Sequence, residues 1–393
     1  MNVPMLNLRC QYETIKYKIK PVIDEIFEAQ QFVLGAHGAA LEEEIARYCD
    51  VPYAIGVASG TDSLLLAMKA LGVGQGDAVI TTPFTFFATA GAIVNLGAHP
   101  IFVDIETEGF EIDSEALSSF LTKECTYKTS ERAPTHKASN LTIKVILPVH
   151  LYGQCADMDK ILEIADRFNL PVLEDACQAI GASYKGKKAG TLGTLGCFSF
   201  FPSKNLGGAG DGGMVITADK DLAYRVRLLR GHGAHHRYYH DIVGFNSRLD
   251  ELQAAVLRIK LPYLDDWSKS RCEHARKYTE AFRSAGLLDN VTPPVILPER
   301  AHIFHQYVIR AKRRDELQAF LKEAGVGCEV YYPVSLHEQA CFKNLGYSPE
   351  DLPRSSVASR EVLALPVYPE LTDEQRSYVV DRIATFYANS GHK

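Results

Sequence analysis

Apolar and polar positions alternate in blocks along the first part of the chain. Short apolar runs predict buried strands, and the segments between them carry apolar residues at helical spacing. The predicted strands are residues 53–58, 77–81, 100–104, 144–149, 171–174 and 214–217. The predicted helices between them are residues 64–72, 114–121, 158–168 and 222–230. Strands that alternate with helices in this way predict a mostly parallel α/β sheet with helices on both faces.

Helices are also predicted before and after this block. Residues 14–31 and 40–49 have helical spacing, and so do residues 249–261, which end at a proline. Pro21 interrupts the pattern of the first of these helices. We expect Pro21 in the first helical turn, because a proline there removes no intrahelical hydrogen bond.

The remainder of the chain has a different pattern. Strands at residues 306–311 and 328–332 are mixed with helices at residues 314–324 and 372–388. A chain of 393 residues is longer than a single hydrophobic core usually accommodates, and chains of this length tend to divide into domains. We therefore expect a large α/β domain at residues 1–261 and a smaller α+β domain at residues 262–393.

One long segment lacks a hydrophobic pattern. Residues 122–140 are rich in Lys, Thr, Ser and Glu. Such polarity is difficult to bury, so we predict a surface loop without an assigned role.

Composition narrows the class of protein. The chain is 46% hydrophobic and 23% charged, with a net charge of −6 and no basic block, which argues against nucleic acid or an anionic membrane as a partner. No apolar run reaches the roughly 18 residues of a membrane span, and the start of the chain lacks the pattern of a signal peptide. The nine cysteines have no CxxC spacing, and no metal-binding motif is present. We expect a soluble, cytoplasmic protein with reduced thiols and no metal.

Polar residues gather where the predicted strands end. In parallel α/β sheets, ligands bind at the carboxyl ends of the strands. The residues expected at that edge are 59–61 (SGT), Phe86, His150, Asp175, Gln178, Ser199 and Lys204. This shared location is the first indication of a single site.

Lys204 follows an apolar run that is broken by Pro202 and precedes a loop with glycines at 207, 208, 210, 212 and 213. The pKa of a buried lysine shifts readily, as Schiff-base chemistry requires. The loop formally matches the dinucleotide motif GxGxxG, but that motif opens a helix, whereas residues 214–217 predict a strand. Nucleotide binding by this loop is therefore excluded, and Lys204 is the candidate for an imine with pyridoxal phosphate (PLP).

PLP requires a lysine, a carboxylate at its ring nitrogen, an aromatic ring beside its own ring, and a phosphate site. Asp175 is the candidate carboxylate, and Gln178 is within reach of the phenolate oxygen. Phe86 is the candidate stacking ring. The candidates for the phosphate site are Gly60, Thr61 and Ser199.

Each residue also has an ordinary interpretation when it is taken alone. Asp175 would be a turn or cap residue, Phe86 a core residue, and Ser199 a strand hydroxyl. Lys204 would be a solvated loop lysine. Their joint occurrence in this order along one sheet favours the cofactor site.

The chain resembles the DegT/StrS-type sugar aminotransferases, a PLP-dependent family of fold type I, over nearly its whole length. The matching segments are residues 59–62 (SGTD), 83–86 (PFTF), 102–104 (FVD), 150–153 (HLYG), 174–179 (EDACQA), 199–207 (SFFPSKNLG), 244–255 (GFNSRLDELQAA) and 331–333 (YYP) with His337.

The resemblance implies the cofactor roles given above, and a homodimer in which Asn246 reaches the phosphate of the partner subunit. The dehydrating branch of the family has histidine in place of the lysine, so Lys204 favours transamination.

The resemblance also implies substrates. Glutamate is the expected amino donor, and the expected acceptor is a 3-keto hexose linked to UDP or dTDP, with 4-keto amination as the alternative. The expected sugar-nucleotide contacts are His232, Tyr239, His240, Arg248, Tyr332 and His337. A PLP-binding sensor without turnover remains a second hypothesis from a different class.

Overall fold

The structure is a computed structural model and describes residues 1–127 and 133–389. Its helices are α1 Leu8–Ala29, α2 Ala36–Cys49, α3 Gly60–Ala70, α4 Ala88–Asn95, α5 Ser114–Lys123, α6 Met158–Arg167, α7 Lys220–Arg230, α8 Glu251–Lys260, α9 Leu264–Ser284, α10 Arg314–Glu323, α11 Pro353–Glu361 and α12 Asp373–Ala388. Its strands are β1 Tyr53–Val57, β2 Asp77–Thr81, β3 His99–Phe102, β4 Cys125–Thr126, β5 Thr135–His136, β6 Thr142–Ile146, β7 Leu173–Asp175, β8 Ser183–Tyr184, β9 Lys187–Lys188, β10 Leu195–Ser199, β11 Gly213–Thr217, β12 Ala234–His236, β13 Tyr239–His240, β14 Val291–Thr292, β15 Arg300–Ala301, β16 Tyr307–Ala311 and β17 Val362–Leu365.

A central sheet organises the larger part of the chain. Strands β1, β11, β10 and β7 are neighbours in that order, and β6, β2 and β3 continue the sheet beyond β7 through parallel bridges from Ile146 to Val172 and from Val149 to Asp175. The pairs β10–β7, β2–β6 and β2–β3 are parallel, whereas β11 is antiparallel to both of its neighbours. The prediction of a mostly parallel α/β sheet is confirmed.

A second hydrophobic core lies around the antiparallel sheet β14–β16–β17. It includes Tyr278 from α9, Tyr307 from β16 and Val379 from α12. Val3, near the start of the chain, also belongs to it and pairs with Val326. The division at residues 261 and 262 stays a prediction.

Helix α1 corrects the expectation for Pro21. The helix begins at Leu8, so Pro21 lies in its interior. Ile15, Ile19 and Ile26, on both sides of the proline, are all buried. Most helical stability in proteins comes from packing of the apolar face, and here that packing outweighs the hydrogen bond lost at the proline.

The polar segment 122–140 is not entirely a loop, so this prediction was wrong in part. Strands β4 and β5 form an antiparallel pair beside β6, and Cys125 is buried. Backbone pairing forms these strands without an apolar side-chain pattern, which is why the sequence did not indicate them. Residues 128–132 of the segment lie outside the described residues.

Within residues 1–127 and 133–389, no helix is both long and apolar enough to cross a membrane.

Candidate active site

A cavity of about 430 Å³ lies at the carboxyl ends of β7 and β10, next to the first turn of α3. Asp175 and Ser199 are the last residues of these two parallel strands, and Cys197 is opposite Asp175 in the register. Segments around His305 and Tyr332, from the later part of the chain, complete the wall. The prediction that the polar residues share one edge of the sheet is confirmed for most of them.

The first turn of α3 and the end of β10 form a small polar pocket. Ser59 caps α3 by accepting a hydrogen bond from the Asp62 amide at 3.1 Å. A Cβ placed on Gly60 would lie 2.6 Å from the Ser199 Cβ, so only glycine fits here without a shift. The free N–H groups at a helix start favour an anion, and Gly60, Thr61 and Ser199 all line the cavity. The arrangement matches the predicted phosphate site.

Lys204 lies on the loop after β10 and lines the same cavity. Burial lowers the pKa of its amine. Two hydrogen bonds from α8 anchor the loop that follows Lys204. Lys260 donates one to the Gly207 carbonyl, and Gln253 accepts one from the Ala209 amide. Lys204 therefore carries a desolvated amine on an anchored loop, and a desolvated lysine amine is suited to imine formation.

Asp175 is only 4% exposed, and its carboxylate is hydrogen-bonded on both oxygens. Thr89 Oγ1 donates to Oδ2 at 2.8 Å, and the Cys177 amide donates to Oδ1 at 3.2 Å. The two hydrogen bonds fix the orientation of the carboxylate at the edge of the cavity.

Gln178 and two tyrosines form a hydrogen-bonded wall. Gln178 Oε1 accepts from the Tyr152 amide at 2.9 Å, and its Nε2 donates to the Tyr332 hydroxyl at 2.9 Å. Burial raises the pKa of Tyr332, so the phenol stays protonated. Phe86 is 54% exposed and lies 6.2 Å from Tyr332 between ring centroids. Its interpretation as a core residue is therefore wrong, and the ring is free to contact a ligand in the cavity.

His150 belongs to the sheet edge but not to the cavity wall. It is fully buried, and its Nε2 is 2.7 Å from Glu174 Oε2. Glu174 also accepts hydrogen bonds from the amides of Gly190, Leu192 and Gly193. The pair fixes the loop before β10 and is structural.

Of the six predicted sugar contacts, Tyr332 alone lines this cavity. His232, Tyr239 and His240 are exposed on the segment 231–248, which contains the hairpin β12–β13, and Asn246 is exposed at its end. Arg248 is half-buried beside them and does not line the cavity. His337 is buried, with Nε2 3.3 Å from Ser356 Oγ, so the structure does not bring it to the site.

Several cavity residues were given no role by the sequence analysis. They are Thr85, Thr89, Tyr152, Cys177, Ser203, Asp211, His305, Gln306 and Tyr331. His305 is buried, its Nδ1 is 3.2 Å from Asn205 Oδ1, and burial depresses its pKa. Its position depends on the packing of the second core against the sheet, which no local pattern reveals. Tyr331, in contrast, lies within the matching segment 331–333, and Gln306 is the first residue of the predicted strand 306–311.

Among the described residues, no group of three or more His, Cys, Asp and Glu side chains is arranged to hold a metal ion. The cavity instead combines a lysine of lowered pKa, a buried carboxylate and an anion site at a helix start. That combination, on a mostly parallel α/β sheet, defines a PLP-dependent transferase of fold type I.

The sequence pattern of the DegT/DnrJ/EryC1/StrS aminotransferase family matches residues 13–384, and the chain belongs to this family. It is a PLP-dependent aminotransferase.

Three relatives illustrate the similarity. A protein of Geobacillus stearothermophilus named pleiotropic regulatory protein is 50% identical over 98% of this chain and 99% of its own length. The UDP-N-acetyl-3-dehydro-alpha-D-glucosamine 3-aminotransferase of Acidithiobacillus ferrooxidans is 40% identical over 99% of this chain and 98% of its own. The crystal structure of S. venezuelae DesV in complex with a ketimine intermediate has a TM-score of 0.90 at 36% identity, and covers 98% of both chains.

Proposed function

We propose that this protein transfers an amino group from L-glutamate to the keto carbon of a nucleotide-linked sugar, a 3-keto hexose on UDP or dTDP. The observation that carries the proposal is the placement of Lys204, Asp175 and the Gly60–Ser199 pocket around one cavity. The name of the 40% identical relative, a 3-aminotransferase of a UDP-linked sugar, supports the substrate class.

The described cavity residues include each kind of group that PLP requires. Gly60, Thr61 and Ser199 would hold its phosphate, and Asp175 would hold the proton on its ring nitrogen. Phe86 would stack on the ring, and Gln178 would contact the phenolate oxygen. When bound, PLP supplies an aldehyde for the amino group and a ring that withdraws electrons from the reacting carbon.

The residues of the chain would then bind and move protons. Lys204 would attach the aldehyde covalently, because its lowered pKa leaves the amine nucleophilic. After the donor amino acid displaces it, the same amine would carry the proton between the donor α-carbon and the cofactor. Proton transfer by a positioned group contributes typically about 10²–10⁴-fold. Tyr332 and Phe86 would exclude water from the reacting face.

Charge supports a shared site in a homodimer. Among the described cavity residues, Lys204 is the one lysine or arginine, whereas PLP and a sugar nucleotide both bring phosphate groups. In the segment 231–248, four of the proposed contacts are exposed and Arg248 is half-buried, and none of the five lines the cavity of its own chain; the four are His232, Tyr239, His240 and Asn246. We propose that the partner subunit supplies them to the phosphate and to the sugar nucleotide. His337 is not included, because it is buried elsewhere.

Two alternatives differ in measurable ways. Amination at the 4-position would use the same residues on a 4-keto sugar. A sensor would bind PLP without turnover. The 50% identical relative is named a regulatory protein, which is the observation that favours this hypothesis. The complete set of Lys204, Asp175 and Gln178 favours an enzyme.

The experiment is to add glutamate and a panel of nucleotide keto sugars to the purified yellow holoprotein. We expect glutamate to bleach the colour and a 3-keto sugar to restore it. Lys204→Arg should abolish turnover, because arginine keeps the charge but forms no imine, whereas Lys69→Arg on the exposed face of α3 should not. Full turnover by Lys204→Arg would refute the assignment. A wild-type protein that stays yellow with every amino acid would support the sensor hypothesis.

A further inference from the structure

Two threonine hydroxyls lead from the cavity wall to Asp175. Thr89 Oγ1 is 2.8 Å from Asp175 Oδ2, and Thr85 Oγ1 is 3.1 Å from Thr89 Oγ1. Both threonines line the cavity wall and are almost completely buried. The chain of hydroxyls is therefore shielded from competing water.

The direction of these hydrogen bonds follows from the chemistry of the groups. An ionised carboxylate only accepts, so Thr89 must give its single proton to Asp175. Thr89 then has only lone pairs left for its neighbour, and Thr85 must donate to it. A donor that itself receives a hydrogen bond is polarised, which strengthens the bond to the carboxylate.

The location of Thr89 reinforces this effect. It is the second residue of α4, and the positive end of a helix dipole favours a negative charge near the first turn. Phe86 lies three residues earlier on the same segment. One short segment thus carries both the stacking ring and the donor to Asp175.

We propose that Thr89, assisted by Thr85, is a positioning residue that fixes the Asp175 carboxylate so that it is directed at the ring nitrogen of the cofactor. This inference rests on the proposed function, because it requires PLP in the cavity. Thr89 acts through Asp175 and touches no reacting atom. Its removal changes the protonation of the cofactor ring as well as its affinity.

The test uses Thr89→Val, which removes the hydroxyl at nearly constant volume, and Thr89→Ser, which keeps it. The measurements are the Kd of the apoprotein for PLP and the ¹⁵N chemical shift of the ring nitrogen in protein-bound, ¹⁵N-labelled PLP. A hydrogen bond to a charged group corresponds to roughly a 10- to 100-fold change in affinity, so we expect Thr89→Val to raise the Kd by at least about tenfold. The ¹⁵N shift should move towards that of a neutral pyridine, and Thr89→Ser should restore both values.

Two further variants separate this role from simple packing. Thr85→Val leaves the direct donor in place and should have a smaller effect in the same direction. Thr81→Val is the matched control, because Thr81 is equally buried but donates to the Leu147 carbonyl and lies outside the cavity wall. It should leave the Kd and the ¹⁵N shift unchanged.

A wild-type ¹⁵N shift and Kd in Thr89→Val would overturn the inference while the proposed function stands. If Thr89→Val does not fold, a wild-type ¹⁵N shift in Thr85→Val overturns it instead. Failure of the wild-type protein to bind PLP would refute the proposed function itself, so the two failures are distinguishable.

Discussion

His302 is a buried histidine that remains uncharged in the folded protein. Its ring stacks on Phe304 with centroids 3.9 Å apart, and its Nδ1 accepts a hydrogen bond from the Phe304 amide at 2.9 Å. Burial lowers the pKa of His302 from 6.5 to about 3. In the unfolded chain His302 therefore binds a proton below pH 6.5, whereas in the folded chain it stays neutral until the pH falls to about 3.

The sign of the pH dependence follows from this difference. Stability from His302 is fully present above pH 6.5 and is lost as the pH falls towards 3, with a limiting slope of about 1.4 kcal/mol per pH unit. Asn at position 302 would keep an acceptor for the Phe304 amide without a titrating group. We expect urea unfolding of His302→Asn to show a shallower loss of stability between pH 6 and pH 4 than wild type. The pKa of His305 is also lowered by burial, but His305 is present in both proteins, so the difference between their slopes comes from His302. An unchanged slope would contradict this assignment.

At the residue scale, the sequence located the groups that are proposed to contact the cofactor better than the groups that support them. Asp175, Ser199 and Lys204 could be found because each lies at the end of a strand or shortly after it, and ligands bind at the carboxyl ends of such strands. Thr89 could not, because its partner is 86 residues away and its hydroxyl resembles that of any other threonine. His305 was missed for the same reason.

At the scale of elements, the packing of α3 against β10 determines the shape of the proposed phosphate site. Gly60 opens α3, and a Cβ there would meet the Ser199 Cβ at 2.6 Å and Cys177 Sγ at 3.2 Å. We expect Gly60→Ala to push the helix start away from the strand end. Overpacking costs typically about 1–3 kcal/mol, so the Kd for PLP should rise about tenfold or more.

The matched control is Gly74→Ala, because a Cβ at Gly74 meets no atom within 4 Å and its backbone needs no positive φ. Equilibrium titration of each apoprotein with PLP gives the Kd, and thermal unfolding of the apoproteins measures stability separately. Gly60→Ala with wild-type affinity would show that the cofactor phosphate binds elsewhere.

The predicted elements failed where long-range packing decided the structure. The periodicity located the strands of the central sheet, because buried parallel strands are continuous apolar runs. It misplaced Pro21, since the buried face of α1 continues through the proline. It also missed β4 and β5, which are held by backbone pairing next to β6 rather than by an apolar pattern.

For the whole molecule, the question is whether one chain forms a complete site. Lys204 lines the cavity, whereas Asn246 of the same chain is exposed outside it. Ser247, the next residue, is buried and donates a hydrogen bond to Asp62 at the start of α3. This hydrogen bond fixes the backbone next to Asn246, and we expect the exposed Asn246 side chain to contact another copy of the chain.

Mixed dimers test this arrangement. If each site combines Lys204 of one subunit with Asn246 of its partner, a dimer of Lys204→Arg and Asn246→Ala subunits has one site with both changes and one intact site. Random 1:1 reassociation of the two variants should then restore about a quarter of the wild-type activity, because half of the dimers are mixed and each has one working site. Sites built within single chains would give no more than half the activity of Asn246→Ala alone, and that result would exclude a shared site.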